Sequence, residues 1–290
     1  MKEQSVVEIF CDGNPIIGFG HIRRSIALAN FLTKQNISVK LSGLSEDATK
    51  YLPQSDYVTG KAQICIFDSM IGIDSRLAEA KKKGKITVTL DWFGDTVADI
   101  NIVVYPHREV KALKMSYIGF ENIIIRDEIL SLKPKKQNTS WQNVIVSIGG
   151  ADLLKQSYQV AELLCKLDFK VTVVQGPLTN PSLTTKSFHI MHNPDNFPEI
   201  LNSCDWAVTN GGGCLFETLF LGIPSFVLPQ TPLEWRIANF TGKKNAILGA
   251  GIENIRDFSN EEFEVVSKNG MNLIDGQGLN RVYNIIKELL

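Results

Sequence analysis

Twice along its length, this 290-residue chain runs a short β-rich segment into a glycine turn and then into a helical pattern. That repetition limits its possible folds more than any other feature, because strand–turn–helix units in series build parallel sheets with crossover helices. In the first half, strand-like runs at 5–11, 37–41, 63–67, 85–90 and 100–104 alternate with helical patterns at 20–35 and 74–83. In the first of these helices Ile22, Ile26 and Ala29 recur at core-facing spacing. The stretch 131–141 is polar, basic and poor in apolar residues, and reads as a linker. The rhythm then restarts, with strands at 143–148, 170–174, 188–191, 206–209 and 225–228 and helices at 155–167, 197–203, 214–221, 233–244 and 279–290. The expectation is an α/β fold of two Rossmann-type parallel-sheet domains, 1–132 and 142–278, facing each other across a cleft. A C-terminal helix, 279–290, is expected to pack back toward the first domain.

Composition narrows the function classes. Hydrophobic residues make up 44% and charged residues 21% of the chain, and the formal net charge is −1. A nucleic-acid partner normally requires a basic excess, which is absent here. The five cysteines, Cys11, Cys65, Cys165, Cys204 and Cys214, are scattered singly and resemble reduced thiols more than a disulfide framework. With no secretory-type leader and no long apolar run, the expectation is a cytoplasmic protein without stable membrane insertion. His189 and His192 lack acidic or thiol partners at metal-ligand spacing, so neither a metal nor another cofactor is expected.

The first glycine turn carries Gly18-Phe19-Gly20-His21-Ile22-Arg23-Arg24. Bare backbone N–H groups at a helix start favour an anion or a close-packed ligand at the carboxyl edge of the sheet. The third position of a dinucleotide fingerprint is Arg23, and the second strand ends without an acidic residue, which argues against NAD. His21 sits in the first turn, where a neutral imidazole is favoured as a proton acceptor; the alternative is a histidine that only satisfies loop carbonyls. Arg24 reaches either a phosphate or a carboxylate of its own domain, and Asp12 either positions a sugar hydroxyl or shapes the turn.

The second turn, Asn210-Gly211-Gly212-Gly213-Cys214, has three consecutive glycines and leads to Glu217 one helical turn further on. Such a bend lets backbone approach a diphosphate, and Glu217 is placed to accept from ribose hydroxyls. Gly149-Gly150 ends the first strand of the second domain and opens toward the same sheet edge, as a ligand loop or an ordinary connection.

These segments, with Phe67-Asp68-Ser69, Leu90-Asp91, Tyr117-Ile118-Gly119, Ile125-Arg126, Val146-Ser147-Ile148-Gly149-Gly150-Ala151-Asp152 and Gly222-Ile223-Pro224, resemble the MurG-type branch of the GT-B fold. They resemble more closely the UDP-sugar hydrolases of pseudaminic acid biosynthesis and their spore-coat polysaccharide relatives. The resemblance implies His21 as general base, activating water at the anomeric carbon. It implies a sugar site from Asp12, Gly18, Gly20, Arg24, Asp68 and Glu234, and a nucleotide site from Gly149, Gly150, Asn210, Gly211, Gly212, Gly213, Cys214 and Glu217. Where that family carries an Asn-Gln pair, this chain reads Thr231-Pro232-Leu233-Glu234-Trp235-Arg236, and where it carries a hydroxyl residue in the glycine turn, this chain has Cys214. The implied partner is a small UDP-sugar, with the protein a monomer or weak homo-oligomer. A glycosyltransferase on the same scaffold is the alternative activity.

Overall fold

The computed structural model describes residues 6–13, 18–53, 61–105, 110–132, 140–150, 152–177, 179 and 187–290. Residues 14–17 ahead of the first glycine turn, Ala151 and residues 133–139 of the expected linker lie outside them. The chain divides into two compact units, 1–126 with 276–290, and 127–275.

The first unit is built on β1 (Val6–Cys11), β2 (Ser38–Gly43), β3 (Ile64–Asp68), β4 (Ile86–Leu90), β5 (Ile100–Val103) and β6 (Met115–Ile118). All pairings are parallel and the order is β2-β1-β3-β4-β5-β6. Helices α1 (Gly20–Lys34), α2 (Glu46–Tyr51) and α3 (Asp74–Lys82) connect its strands. Every residue of β3 and β5 is buried, as expected of central strands covered on both faces. The strand order reverses at β1, which has β2 on one side and β3 on the other. Ligand crevices of open α/β sheets form at the carboxyl ends of the strands at such a reversal.

The second unit repeats the principle. Helix α4 (Asp127–Leu130) precedes β7 (Asn143–Ser147), α5 (Ser157–Lys166), β8 (Lys170–Gln175), β9 (His189–His192) and α6 (Phe197–Ser203). There follow β10 (Trp206–Thr209), α7 (Gly213–Leu221), β11 (Ser225–Val227), α8 (Pro232–Lys243), β12 (Gly249–Ala250) and α9 (Asn260–Leu273). The sheet is again parallel, in the order β12-β11-β10-β7-β8-β9, so its reversal lies between β7 and β10. Asp205 pins these two strands together by accepting from the backbone and side-chain N–H groups of Asn143, each at 2.8 Å. Under the sheet, fully buried Trp206 meets Phe169, Phe258 and Phe263 in edge-on and tilted contacts.

Five elements were not marked in the sequence: α2, α4, β6, α9 and β12. Helix α9 was not marked, although Ser259 and Glu262 form a reciprocal capping box at its start. Its apolar stripe is thin, with only Phe263, Val266 and Gly270 buried over fourteen residues. The edge strand β6 was also missed, because its residues are partly or fully exposed and carry no buried alternation. No helix among the described residues is long and apolar enough to cross a membrane.

The last helix, α10 (Gly278–Lys287), belongs to the first unit. Arg281 donates to the carbonyl of Glu121 at 2.8 Å, and Tyr283 meets Phe31 of α1 edge-on at 6.0 Å. Gly278 makes the docking possible: a Cβ there would lie 1.9 Å from the carbonyl oxygen of Ile123. A backbone obstacle cannot rotate aside. Gly278→Val is therefore expected to destabilise the protein by about 1–3 kcal/mol, seen as a lower urea midpoint with an unchanged slope.

Candidate active site

In the first unit, the chemistry gathers at the carboxyl ends of β1 and β3. Helix α1 begins at Gly20 with no side-chain cap and no acidic residue in its first turn. His21 and Arg24 are three apart on it, hence on one face, and both reach Asp68 at the end of β3. His21 Nδ1 lies 2.7 Å from Asp68 Oδ1. Arg24 donates from Nε at 3.0 Å and from Nη2 at 2.5 Å to the two oxygens of the same carboxylate, and Ser25 Oγ donates at 3.0 Å. The remaining arm of the Arg24 fork, Nη1, pairs with Asp91 just beyond β4. Asp91 has φ 56° and also accepts from the backbone N–H of Val104 at 2.8 Å.

The electrostatics follow from this packing. Asp68 and Asp91 are both 0% exposed, while the His21 side chain retains 11%. Burial pushes the Asp68 carboxyl upward, but the Arg24 charge, His21 and their hydrogen bonds outweigh it and hold it far below the usual carboxylate range. Burial likewise works against the Arg24 cation, and the two carboxylates more than compensate, raising it well above its ordinary value. A carboxylate can only accept, so the hydrogen bond to Asp68 puts the ring proton of neutral His21 on Nδ1. Nε2 then carries the lone pair. Under this tautomer the 3.4 Å approach of Arg24 Nη2 to His21 Nδ1 is donor against donor and not a hydrogen bond. The nearby Cys11 thiol is pushed up to about 12, first by burial and then by the Asp68 charge, which leaves it unreactive.

Several residues expected at the sugar have a different immediate environment. Asp68 is sealed from solvent, with both oxygens engaged by His21, Arg24 and Ser25. Arg24 is occupied by two carboxylates. Asp12 accepts from the backbone N–H of Gly13 at 2.8 Å and from Ser45 Oγ at 2.6 Å, tying the first turn to the start of α2. Gly18, with φ 72°, and Gly20 have open space where a side chain would project. Asp91 and Ser25 were not singled out as site residues from the sequence.

In the second unit, three loops meet at the carboxyl edge beside the strand reversal. A Cβ on Gly176, after β8, would lie 2.3 Å from the carbonyl oxygen of Gly149 and 2.5 Å from that of Gly150, after β7. One on Gly211 would lie 2.7 Å from Cβ of Glu234 at the start of α8. Glycine is thus required at 176 and 211 by the closeness of neighbouring elements. Gly213 has open space at its Cβ position, and Gly212 caps α7 without a side chain, so N–H groups at that helix start are sterically accessible. Cys214 and Glu217 follow on α7, both half-buried.

Glu234, expected at the sugar, instead lies beneath the turn. It accepts from Asn210 Nδ2 at 2.7 Å and from the backbone N–H of Gln230 at 2.5 Å. Burial raises its carboxyl above the ordinary value, against hydrogen bonds from Gln230, Asn210, Thr231 and Gly211 that favour the charged form. The side chain of Gln230 extends the brace, accepting from the backbone N–H of Leu154 at 2.9 Å and donating to Gln156 Oε1 at 3.2 Å.

No protein-family model matches the chain. Among curated proteins it is 26% identical to an uncharacterised protein of Methanocaldococcus jannaschii, over 79% of this chain and 56% of that protein. It is 21% identical to the spore coat polysaccharide biosynthesis protein SpsG of Bacillus subtilis, over 98% of both. It is 22% identical to a Helicobacter pylori protein named pseudaminic acid cytidylyltransferase and UDP-2,4-diacetamido-2,4,6-trideoxy-beta-L-altropyranose hydrolase, over 79% of this chain and 45% of that protein. The chain thus spans about half the length of the first and third of these relatives. Among solved structures, Acinetobacter baumannii MurG superposes with a TM-score of 0.64 at 13% identity, covering 99% of this chain and all of that one. S. aureus MnaA with UDP gives 0.63 at 12% identity over 98% and 96%. The glycosyltransferase VinC with dTDP gives 0.59 at 11% identity over 98% of each. Two parallel six-stranded α/β units with these neighbours make the fold one of the GT-B type.

Proposed function

We propose that this protein hydrolyses a UDP-linked sugar at its anomeric C–O bond, with His21 as general base and the second unit holding the nucleotide. The observation that carries the reading is the His21–Asp68 hydrogen bond of 2.7 Å, which leaves Nε2 as the basic nitrogen at the strand reversal of the first unit. Nε2 takes a proton from water as the water oxygen bonds to the anomeric carbon. The bond from that carbon to the diphosphate breaks, and UDP departs with the electron pair. Asp68 orients the ring and offsets the charge of the imidazolium that forms. General-base assistance of this kind contributes about 10²–10⁴-fold. The accessible N–H groups at the start of α7 suit the diphosphate that leaves, and Glu217 suits the ribose. The Helicobacter relative, named in part as a UDP-sugar hydrolase, supports the same reaction class.

A glycosyltransferase is the second reading, favoured by neighbours such as VinC. The same base would then deprotonate an acceptor hydroxyl in place of water. A panel of UDP-sugars, incubated with and without acceptor alcohols and followed by phosphorus NMR, separates the two. Hydrolysis predicts UDP release without acceptor, abolished in His21→Ala with UDP binding retained; release that requires an acceptor contradicts it.

The support beneath His21 has its own consequences. Arg24→Ala leaves two buried carboxylates without their cation and is expected to cost about 3–5 kcal/mol of stability, measurable by urea unfolding. Because the folded-state pKa of Asp68 is depressed, its stabilisation is complete above the unfolded carboxylate value of about 3.9 and is lost as pH falls toward the folded value. The stability gap between wild type and Asp68→Asn should accordingly be widest near neutrality and narrow on acidification below about pH 4.

A further inference from the structure

The side-chain amide of Asn210 is held in one orientation. Glu234 lies against the glycine turn, and a carboxylate engaged by donors from Gln230 and Asn210 has only acceptor capacity to offer. The NH₂ end of Asn210 must therefore face Glu234. That turns the other end, Oδ1, away from it, and this oxygen is buried with no donor among the described residues. Gly149, at φ 77°, and Gly212 flank the amide: Cβ atoms there would come within 3.1 Å and 3.3 Å of Asn210 Nδ2. Two side-chain-free positions thus border a buried, unpaired acceptor in the same turn that offers backbone donors.

We propose that Asn210 Oδ1 accepts a hydrogen bond from a ligand hydroxyl, and that Glu234 is the positioning residue that enforces this choice by fixing the amide. The inference rests on the reading of the second unit as the nucleotide-binding one. It divides the turn into two chemistries. Backbone N–H groups receive phosphate oxygens, whereas Asn210 repels a phosphate oxygen and takes an O–H, from the ribose or from the sugar. A site built to pair a ligand hydroxyl discriminates against analogues that lack it, because its own buried acceptor is then left unsatisfied.

Glu234→Gln tests the lock, because a glutamine can donate as well as accept. Its amide nitrogen would pair with Asn210 Oδ1, turning Nδ2 toward the ligand. Calorimetric titration of the full chain should show UDP bound about tenfold more weakly by Glu234→Gln and by Asn210→Ala, the scale of one net hydrogen bond. Inorganic pyrophosphate, which brings no ribose or sugar hydroxyl, should bind equally to all three proteins. If 2′,3′-dideoxy-UDP abolishes the difference between wild type and variants, the donor is the ribose. If UDP binds all three alike and only UDP-N-acetylglucosamine discriminates, the donor is on the sugar.

Wild-type affinity of both variants for UDP and for UDP-N-acetylglucosamine would overturn the proposal and assign the oxygen to water alone. A wild-type protein that binds pyrophosphate but no nucleotide would overturn it together with the nucleotide reading, a failure distinguished by its presence before any substitution. Should either variant not fold, nitrogen-15 NMR of the wild type gives the answer. The Asn210 side-chain NH₂ signals should keep their carboxylate-bonded positions through UDP titration, and their displacement by UDP would show that the amide turns, against the proposal.

Discussion

The first unit depends on one buried negative charge. Asp68, at the end of a central strand with no exposure to solvent, is tolerable only because His21, Arg24 and Ser25 converge on it with four hydrogen-bond contacts. A lone arginine bound to it by two arms would cancel its charge and leave little to offset an imidazolium. Asp91, on the remaining arm of the same guanidinium, restores a net negative charge to the group. Support for a proton-accepting histidine and stability of the sheet edge are therefore properties of one network, and they fail together.

How much of this was legible in the sequence follows from the distances along the chain. The two glycine turns, the helix starts behind them and the position of His21 all lie within short segments, and local pattern is enough to read them. Arg24 is 44 residues from Asp68 and 67 from Asp91. These partners meet only because the sheet order sets β3 beside β1 and β4 beside β3, an arrangement that periodicity does not specify. Asp68 was therefore expected at the sugar, and its burial beneath His21 is a tertiary fact. The contacts of Glu234 were hidden in the same way: it lies 24 residues beyond Asn210, and only the close approach of α8 to Gly211 brings it against the turn. Arg24 was left open between a phosphate and a carboxylate, since composition and spacing serve either.

The glycines show that one residue type answers different demands within one turn. Gly211 is needed because a neighbouring helix start occupies the space of its side chain, whereas Gly213 borders open space. Only the second kind keeps backbone N–H groups accessible to a ligand. The sequence marks three glycines alike; the packing of α8 separates the structural one from the one left open. The result is a turn braced from beneath by Glu234 and Gln230 and open at the helix start, which suits a site that must hold its shape before a ligand arrives.

The central claim is that Asp68 fixes which nitrogen of His21 is basic. Long-range nitrogen–proton NMR correlation of the imidazole ring, recorded at a pH where the ring is neutral, reads the tautomer directly. The account predicts a protonated Nδ1 and a bare Nε2 in the wild type, with the preference lost in Asp68→Ala. A ring protonated at Nε2 would contradict it, because no general base would then stand at the first strand reversal.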